Sequence, residues 1–489
     1  MPESGGGRGT PSLGERIGFI LGPLVLATCL LTPPPGGLSE TAWRAAGLGL
    51  LMAIWWITEA IPIYATALLP LVLLPALGIA TMNNTAAPYA NPIIYLFMGG
   101  FILAAGMESS GLHRRLAVAI IRTVGTKPAN LIGGFMAATA FLSMWVSNTA
   151  TVVMLLPMAT SVIRAVEERR GEGKADNNFA IALLLGIAYA ASIGGVATPI
   201  GTPPTAFLAA FMDETYHFRI GFLQWMLVGV PVVVVGTPIA WWLLTRWLHP
   251  VGSTELEGGR DILEREAAEI GRMSRAEKLV AIIATLTAVA WMTQPLIEKV
   301  FANISDAGIA MTGAMLMFVV PVNWRRGEFV LAWKDAEKMP WSVLVLFGGG
   351  LSLASAIQTT GLAQGIGDAM AAAGHLPLLL VMAIVTLVVI FLTELTSNTA
   401  TAATFIPLVA SVSVGMGRDP LFLAIPAALA AGLSFMLPAG TPPNALIFGT
   451  GRLTIPMMAR AGIVMNILFA ILIDIAVFTL AMRVFGLHT

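Results

Sequence analysis

The run Ser147-Asn148-Thr149-Ala150-Thr151 occurs a second time as Ser397-Asn398-Thr399-Ala400-Thr401, 250 residues further along the chain. The same offset aligns Leu96-Phe97 and Gly99-Gly100 with Leu346-Phe347 and Gly349-Gly350, and Pro157 with Pro407. Further on, Gly201-Thr202-Pro203-Pro204 is answered by Gly440-Thr441-Pro442-Pro443, at an offset of 239. A longer polar insert in the first half, Glu167 to Asn178, accounts for the difference. One Ser-Asn-Thr in an apolar chain reads as packing between helices. Two copies in register, each followed by a Gly-Thr-Pro-Pro break, read as an internal duplication whose function lies where the copies meet.

The solvent of this duplication is lipid. Hydrophobic residues make up 57% of the chain and charged residues 11%, against about 25% charged in soluble domains. Mean hydropathy is +0.83. Formal net charge is zero, so the electrostatic footprint of a nucleic-acid binder is missing. The one cysteine, Cys29, lies in an apolar run and leaves no disulfide framework or thiolate metal site. Ile17 to Leu31 lacks a small-residue cleavage site before Pro33-Pro34-Pro35 and reads as a spanning helix, not a signal peptide.

A span needs roughly 20 apolar residues. Eleven are expected, at 17–33, 44–60, 64–80, 92–112, 178–212, 220–247, 278–297, 307–321, 341–360, 420–450 and 458–486. The fifth and tenth are broken by their Gly-Thr-Pro-Pro runs. Stretches 128–164 and 375–415 carry Ser-Asn-Thr at their centres, and they read as re-entrant helix hairpins that return to the side they entered from. With a cytoplasmic N-terminus and an extracytoplasmic C-terminus, only Arg44, Arg219, Lys299, Arg418 and Arg483 of the 27 basic residues fall outside. That is the positive-inside bias, and letting either hairpin cross would spoil it. The helices 92–112 and 341–360 then run in opposite directions, so the repeats are inverted.

The fold expected is an all-α polytopic membrane protein with scaffold and transport domains. A disordered cytoplasmic N-terminus, 1–16, precedes scaffold helices over 17–80. The first inverted repeat spans 81–247, with hairpin 128–164 and broken helix 178–212. A charged cytoplasmic linker, 248–277, reads as a solvated helix of mixed charge. The second repeat spans 278–489, with hairpin 375–415 and broken helix 420–450. Arg114 to Lys127 reads as an interfacial basic helix.

Inverted repeats with interrupted helices are the architecture of secondary transporters, which hold substrate and ions near the midplane. Pro203, Pro204, Pro442 and Pro443 lack N–H groups and forbid continuous helices. They free upstream carbonyls and begin new half-helices. Ser and Asn are favoured helix N-caps, so each Ser-Asn-Thr also begins a helix. Four helix N-termini, each carrying about half a positive charge, make an anion site. Freed carbonyls, hydroxyls and Asn oxygens make a hard-oxygen cage suited to a hard cation, with sodium the natural candidate. No Lys, Arg or His lies in these runs, so a bound dianion would be balanced by dipoles and co-bound cations.

Ser147-Asn148-Thr149, Ser397-Asn398-Thr399, Gly201-Thr202-Pro203-Pro204 and Gly440-Thr441-Pro442-Pro443-Asn444 resemble the divalent anion/sodium symporter (DASS, INDY-type) family. The runs Gly186 to Ala206 and Phe391 to Gly449 are similar to it as well, and the match covers nearly the whole chain beyond the first forty residues. The resemblance implies sodium-coupled symport of C4-dicarboxylates (succinate, malate, fumarate) by a homodimer working as an elevator in the cell (inner) membrane. Sodium is then co-transported, with no organic cofactor. Carried over by motif, one sodium site would use Ser143, Ser147, Asn148 and the Gly201 region. The other would use Thr393, Thr396, Asn398 and the Gly440 region. Substrate would meet Ser147, Asn148, Thr149, Thr202, Pro203, Ser397, Asn398, Thr399, Thr441 and Pro442. The family often has Asn after Pro-Pro in both halves; here the first half has Thr205 and only the second has Asn444.

Other classes fare worse. The five histidines fall in expected loops or at segment ends, and no His-Glu-x-x-His or Gly-x-Ser-x-Gly occurs, which argues against an enzyme. Glu59, Glu108 and Glu394 are acids within or beside apolar segments, and Glu394, three residues before Ser397, suits support of the hairpin as well as proton coupling. The rivals within transport are a sodium-independent dicarboxylate exchanger and a sulfate or tricarboxylate carrier.

Overall fold

The computed structural model describes residues 12–170, 177–252, 259–301, 303–372 and 377–487. The expected disordered N-terminus lies outside them as far as residue 11. From Ser12 onward the chain is ordered by a capping box: Ser12 and Glu15 satisfy each other's backbone N–H, and helix α1 (Leu13–Leu31) begins there.

Among the described residues that follow, the regular structure is helical apart from one two-stranded hairpin, Pro321–Asn323 with Glu328–Phe329. α2 (Glu40–Thr58) packs along α1. The expected span 64–80 is instead two short helices, α3 (Ile63–Thr66) and α4 (Leu69–Ala76), because Pro70, in the first turn of α4, has no N–H to carry the donor ladder back to α3. α5 (Met82–Ala86) leads into α6 (Pro92–Ser110) and the amphipathic α7 (Leu112–Arg122). α8 (Pro128–Ser143) and α9 (Asn148–Arg170) form a pair joined at Ser147. α10 (Asn177–Gly195) and α11 (Pro203–Tyr216) are the two pieces of the first broken helix, followed by α12 (Phe222–Trp242).

The second half repeats the order. After α13 (Gly259–Ile270), α14 (Arg275–Ile297), α15 (Asp306–Val319) and the one-turn α16 (Trp333–Ala336) come α17 (Trp341–Thr359) and α18 (Leu362–Ala372). α19 (Leu378–Leu392) and α20 (Asn398–Gly415) are joined at Ser397. α21 (Leu421–Ala431) and α22 (Pro442–Phe448) are the second broken helix. α23 (Ile455–Ala476) and α24 (Met482–Phe485) end the fold, linked by a π-helical turn over 477–481.

Among the described residues, nine helices are long and apolar enough to cross a membrane. Two of these, Asn148–Glu167 and Asn398–Gly415, belong to the stretches expected to form non-crossing hairpins, so length and composition alone do not separate the two kinds. The expected spans at 64–80, 307–321 and 420–450 appear as shorter apolar helices, Ile63–Ala76, Asp306–Val319 and Leu421–Ala431.

The centre of the molecule is α10 and α21, whose residues from Phe179 to Gly195 and from Leu421 to Ala431 are buried on every side. Their Ala- and Gly-rich sequences allow helices to approach closely, the usual means of packing where lipid supplies no hydrophobic drive. The aligned Gly99 and Gly349 do the same for the outer layer. A methyl at Gly99 would come within 2.7 Å of the Ala310 backbone, and one at Gly349 within 2.7 Å of Ala67.

The described part of the charged linker is not simply solvated. Arg114 of α7 pairs with Glu266 at 2.6 Å and Glu269 at 3.3 Å, and these carboxylates raise the Arg114 pKa further. Arg115 grips Glu277 at 2.8 and 3.1 Å and reaches the Gly271 carbonyl at 2.9 Å. The linker is thereby stitched to the basic amphipathic helix, opposite signs meeting.

Candidate functional site

Each joint between paired helices sits against one broken helix, and the same three oxygens meet in both halves. In the first, the Ser143 hydroxyl lies against the Asn148 Oδ1 and 2.8 Å from the Ala191 carbonyl. In the second, the Thr393 hydroxyl is 2.8 Å from the Asn398 Oδ1 and 3.1 Å from the Ala431 carbonyl. A hydroxyl has one proton, and here it faces two acceptors that have none to give. Each triad therefore holds more oxygen lone pairs than protons, the chemistry that a hard cation completes. Ser143 and Thr393 are wholly buried.

The breaks are held open by local stitching. Thr205 directs its hydroxyl at the Thr202, Pro199 and Thr198 carbonyls, at 2.8, 3.1 and 3.3 Å. In the second half the Asn444 amide reaches the Leu437 carbonyl at 3.1 Å and that of Ser434 at 3.3 Å. At an offset of 239, Thr205 and Thr198 correspond to Asn444 and Leu437. Thr205 thus takes over the carbonyl-binding half of the Asn task, and the Asn444 Oδ1, buried without a partner, has no equivalent in the first half.

Glycine is required where the backbone folds back on itself. A Cβ at Gly201 would collide with the Gly195 carbonyl, and one at Gly195 would stand 2.7 Å from the Asn148 Oδ1. Asn148, Gly195 and Thr202 therefore form one cluster. A Cβ at Gly440 would collide with the Ser434 hydroxyl and approach Glu394 Oε2 at 3.1 Å. Glu394 is the centre of that second cluster. Its carboxylate accepts from the N–H groups of Phe435, Met436 and Leu437 at 2.6, 2.9 and 3.1 Å, from the Ser434 hydroxyl at 2.7 Å and from the Asn466 amide at 3.0 Å. Its counterpart at the 250-residue offset is Met144, whose carbonyl is bound instead by the Thr198 hydroxyl at 2.6 Å.

The remaining expected residues are placed as follows. Ser147 and Ser397 stand at the heads of α9 and α20, Ser147 accepting from Ala150 N at 3.3 Å and Ser397 making no side-chain cap bond. Thr202 and Thr441 hold the N-cap positions of α11 and α22, Thr441 accepting from Asn444 N and Thr202 making no side-chain cap bond, with Pro203 and Pro442 in the first turns, where a missing N–H costs nothing. Thr399 is largely buried. Thr396 is engaged away from Asn398, with the Thr401 hydroxyl at 2.6 Å and the Leu392 carbonyl at 3.1 Å. The first half has Val146 in place of Thr396, and the Thr151 hydroxyl is accordingly buried without a partner.

The halves meet crosswise. α22 packs on α9 and α11 on α20. Thr149 and Pro442 line one 530 Å³ cavity, and a Cβ at Gly432 would touch Thr202 Oγ1 at 3.5 Å. The triad carbonyls of Ala191 and Ala431, and the stitching by Thr205 and Asn444, were not singled out from sequence. The Ala-Ala pairs just before each break were the available signal.

A family model described as the sodium:sulfate symporter transmembrane region matches residues 16–486. The chain is 40% identical over 483 residues to the sodium-dependent dicarboxylate transporter SdcS of Staphylococcus saprophyticus, covering 97% of this chain and 93% of that protein. The same figures hold for SdcS of Staphylococcus aureus. Among solved structures, the YdaH transporter of Alcanivorax borkumensis is similar with a TM-score of 0.60 at 14% identity, covering 90% of this chain and 98% of that one. MtrF of Neisseria gonorrhoeae gives 0.54 at 14% identity, covering 97% and 96%. At that identity the likeness concerns the fold alone. A family match over nearly all the residues, and relatives at 40% identity along 97% of the chain, establish that this protein belongs to the sodium:sulfate symporter family, the divalent anion/sodium symporters.

Proposed function

We propose that this protein is a secondary active transporter that couples the uptake of C4-dicarboxylates (succinate, malate and fumarate) to sodium. The observation that carries this reading is the 40% identity, along 97% of the chain, to transporters named for sodium-dependent dicarboxylate transport. The paired oxygen triads support it, because each leaves room for a cation's charge beside a helix N-terminus that favours an anion. In this reading Ser143, Ser147, Asn148 and Gly201 serve one sodium, and Thr393, Asn398 and Gly440 the other. Thr396 assists only through Thr401. Ser147, Thr149, Thr202, Pro203, Ser397, Thr399, Thr441 and Pro442, with the two Asn amides, receive the carboxylates. Two cations beside a dianion lower the cost of carrying charge through lipid, which is why substrate and sodium would move together.

The mechanism that goes with it is alternating access. Residues 17–80 act as scaffold, and the repeats 81–247 and 278–489 are inverted about the linker. The pairs α8–α9 and α19–α20 are re-entrant hairpins opening to opposite sides. The transport portion slides as an elevator within a homodimer in the cell (inner) membrane, with the N-terminus cytoplasmic and the C-terminus extracytoplasmic. The family description names sulfate, so a sulfate or tricarboxylate substrate is the second reading, and sodium-independent exchange the third.

The test is succinate uptake into proteoliposomes under an inward sodium gradient, under choline, and after preloading with dicarboxylate. Sodium-driven accumulation in empty vesicles is the expected result. Uptake only into preloaded vesicles, indifferent to sodium, would overturn symport, and sulfate outcompeting succinate would overturn the substrate class.

A further inference from the structure

The cavity at Thr149 and Pro442 does not end there. A second cavity of 500 Å³ continues it between α9 and α22, and Leu156, Leu446 and Thr450 wall both. Through these shared walls the two adjoin as an open groove that runs outward to Arg164 and Arg452. Thr149, Val153, Leu156, Thr160 and Arg164 follow a three-to-four-residue spacing, so a single face of α9 lines it from end to end. At a rise of 1.5 Å per residue, Thr149 and Arg164 are roughly 22 Å apart along that helix. A four-carbon diacid at Thr149 cannot touch Arg164, so the outer end is a separate station.

Its charge is unbalanced. Arg452 is committed to Glu167 by a two-pronged pair, Nη1 on Oε1 and Nη2 on Oε2 at 2.9 Å, which cancels both charges. Arg164 is exposed and has no ion pair among the described residues. The hydroxyls of Thr160 and Thr450 are spent on the Pro157 and Ile447 carbonyls at 2.8 and 2.6 Å. Attraction at this station therefore comes from one exposed guanidinium at the outer end of the groove, whose unbalanced charge raises the local concentration of anions.

We propose that Arg164 forms a weak, sodium-independent docking station for carboxylate dianions at the mouth of the groove that begins at Thr149 and Pro442. The proposal rests on the dicarboxylate-transport reading. With the basic loops inside, the mouth faces the cytoplasm, and the station is where the dianion leaves. Guanidinium binds carboxylate without a co-bound cation, so occupancy here requires neither sodium nor the Asn residues.

The chain's one cysteine makes the test clean. Cys29 is buried, and in a Cys29→Ser, Thr450→Cys variant the new thiol reports the local field. Its reaction rates with an anionic and a cationic methanethiosulfonate are compared in sodium-free choline buffer. Arg164→Gln is expected to lower the anionic-to-cationic rate ratio about fivefold, Arg164→Lys to restore most of it, and Arg122→Gln, on α7, to leave it unchanged. Millimolar succinate should slow the anionic reagent without sodium, and still do so after Asn398→Ala, whereas propionate at matched ionic strength should not. A ratio indifferent to Arg164→Gln would overturn the proposal, as would protection that requires sodium and disappears with Asn398→Ala. Failure of the transport reading is seen separately, as wild-type protein without sodium-driven uptake.

Discussion

Glu394 lies 3.0 Å from the Asn466 amide and joins the turn between α19 and α20 to α23, on the far side of the second break. Through the same carboxylate it holds three consecutive backbone N–H groups of the unwound segment. Glu394→Ala would leave these buried donors unpaired, at roughly 1–3 kcal/mol each. The expected result is a large fall in the melting temperature of the detergent-solubilised protein. Glu394→Gln should fold better yet bind sodium at least tenfold more weakly, since its amide nitrogen faces N–H donors. Sodium titration of the purified variants checks this, and normal sodium affinity in both would show that the segment does not need its carboxylate.

Asn148→Ala and Asn398→Ala each remove one oxygen of a triad. Both are expected to abolish sodium-driven uptake while leaving the fold intact. Thr393→Val and Ser143→Ala, which keep the Asn, should raise the sodium concentration for half-maximal uptake about tenfold, equivalent to ~1.4 kcal/mol. Near-normal transport in both folded Asn variants would remove the triads from the mechanism.

Thr205→Asn should retain uptake, because either side chain can donate to the carbonyls of the first break. Thr205→Val cannot, and takes away the one hydroxyl proton that the Thr198, Pro199 and Thr202 carbonyls surround; uptake should fall at least tenfold. Equal activity in the two would mean the stitching is dispensable.

The linker is expected to matter little for affinity. Arg114 is 42% exposed, and a double-mutant cycle of Arg114→Ala with Glu266→Ala should give ~0.2–1 kcal/mol, the range for exposed pairs. The succinate concentration for half-maximal uptake should not change. A large loss would tie the linker to the site.

His113 is mostly buried on α7, its Nδ1 2.9 Å from the Met107 carbonyl, and burial lowers its pKa below the ordinary 6.5. The unfolded chain therefore binds this proton more readily than the folded one. Stability should be full above pH 6.5 and decline as pH falls from there toward the depressed folded value. His113→Gln should flatten that part of a melting-temperature profile, and an unchanged slope would exclude His113 as its source.

Much of this layout was legible in the sequence because its devices are local. Proline after Gly-Thr stops a helix wherever it stands, and Ser-Asn begins one. The two copies of each located the breaks and joints to within a few residues. The division of 64–80 into two short helices rested on Pro70, visible yet outweighed by continuous hydropathy. The triad carbonyls of Ala191 and Ala431 were not legible, since any residue has a carbonyl and only tertiary placement selects one. Thr396 was picked out by its motif position as an ion ligand, and its contact with the Thr401 hydroxyl, five residues on, could not be read from that position.

The two breaks are stitched unequally, and each half keeps its own partners. Glu394 and its donors at Ser434, Phe435, Met436, Leu437 and Asn466 all lie in the second half, and Met144 and the Thr198 hydroxyl both lie in the first. A first-half hairpin set alone against the second break would place methionine where Glu394 stands and strand the buried amides of the unwound segment. Hairpin and broken helix are therefore exchangeable only as a set, and a change in one is tolerated only with its match in the other.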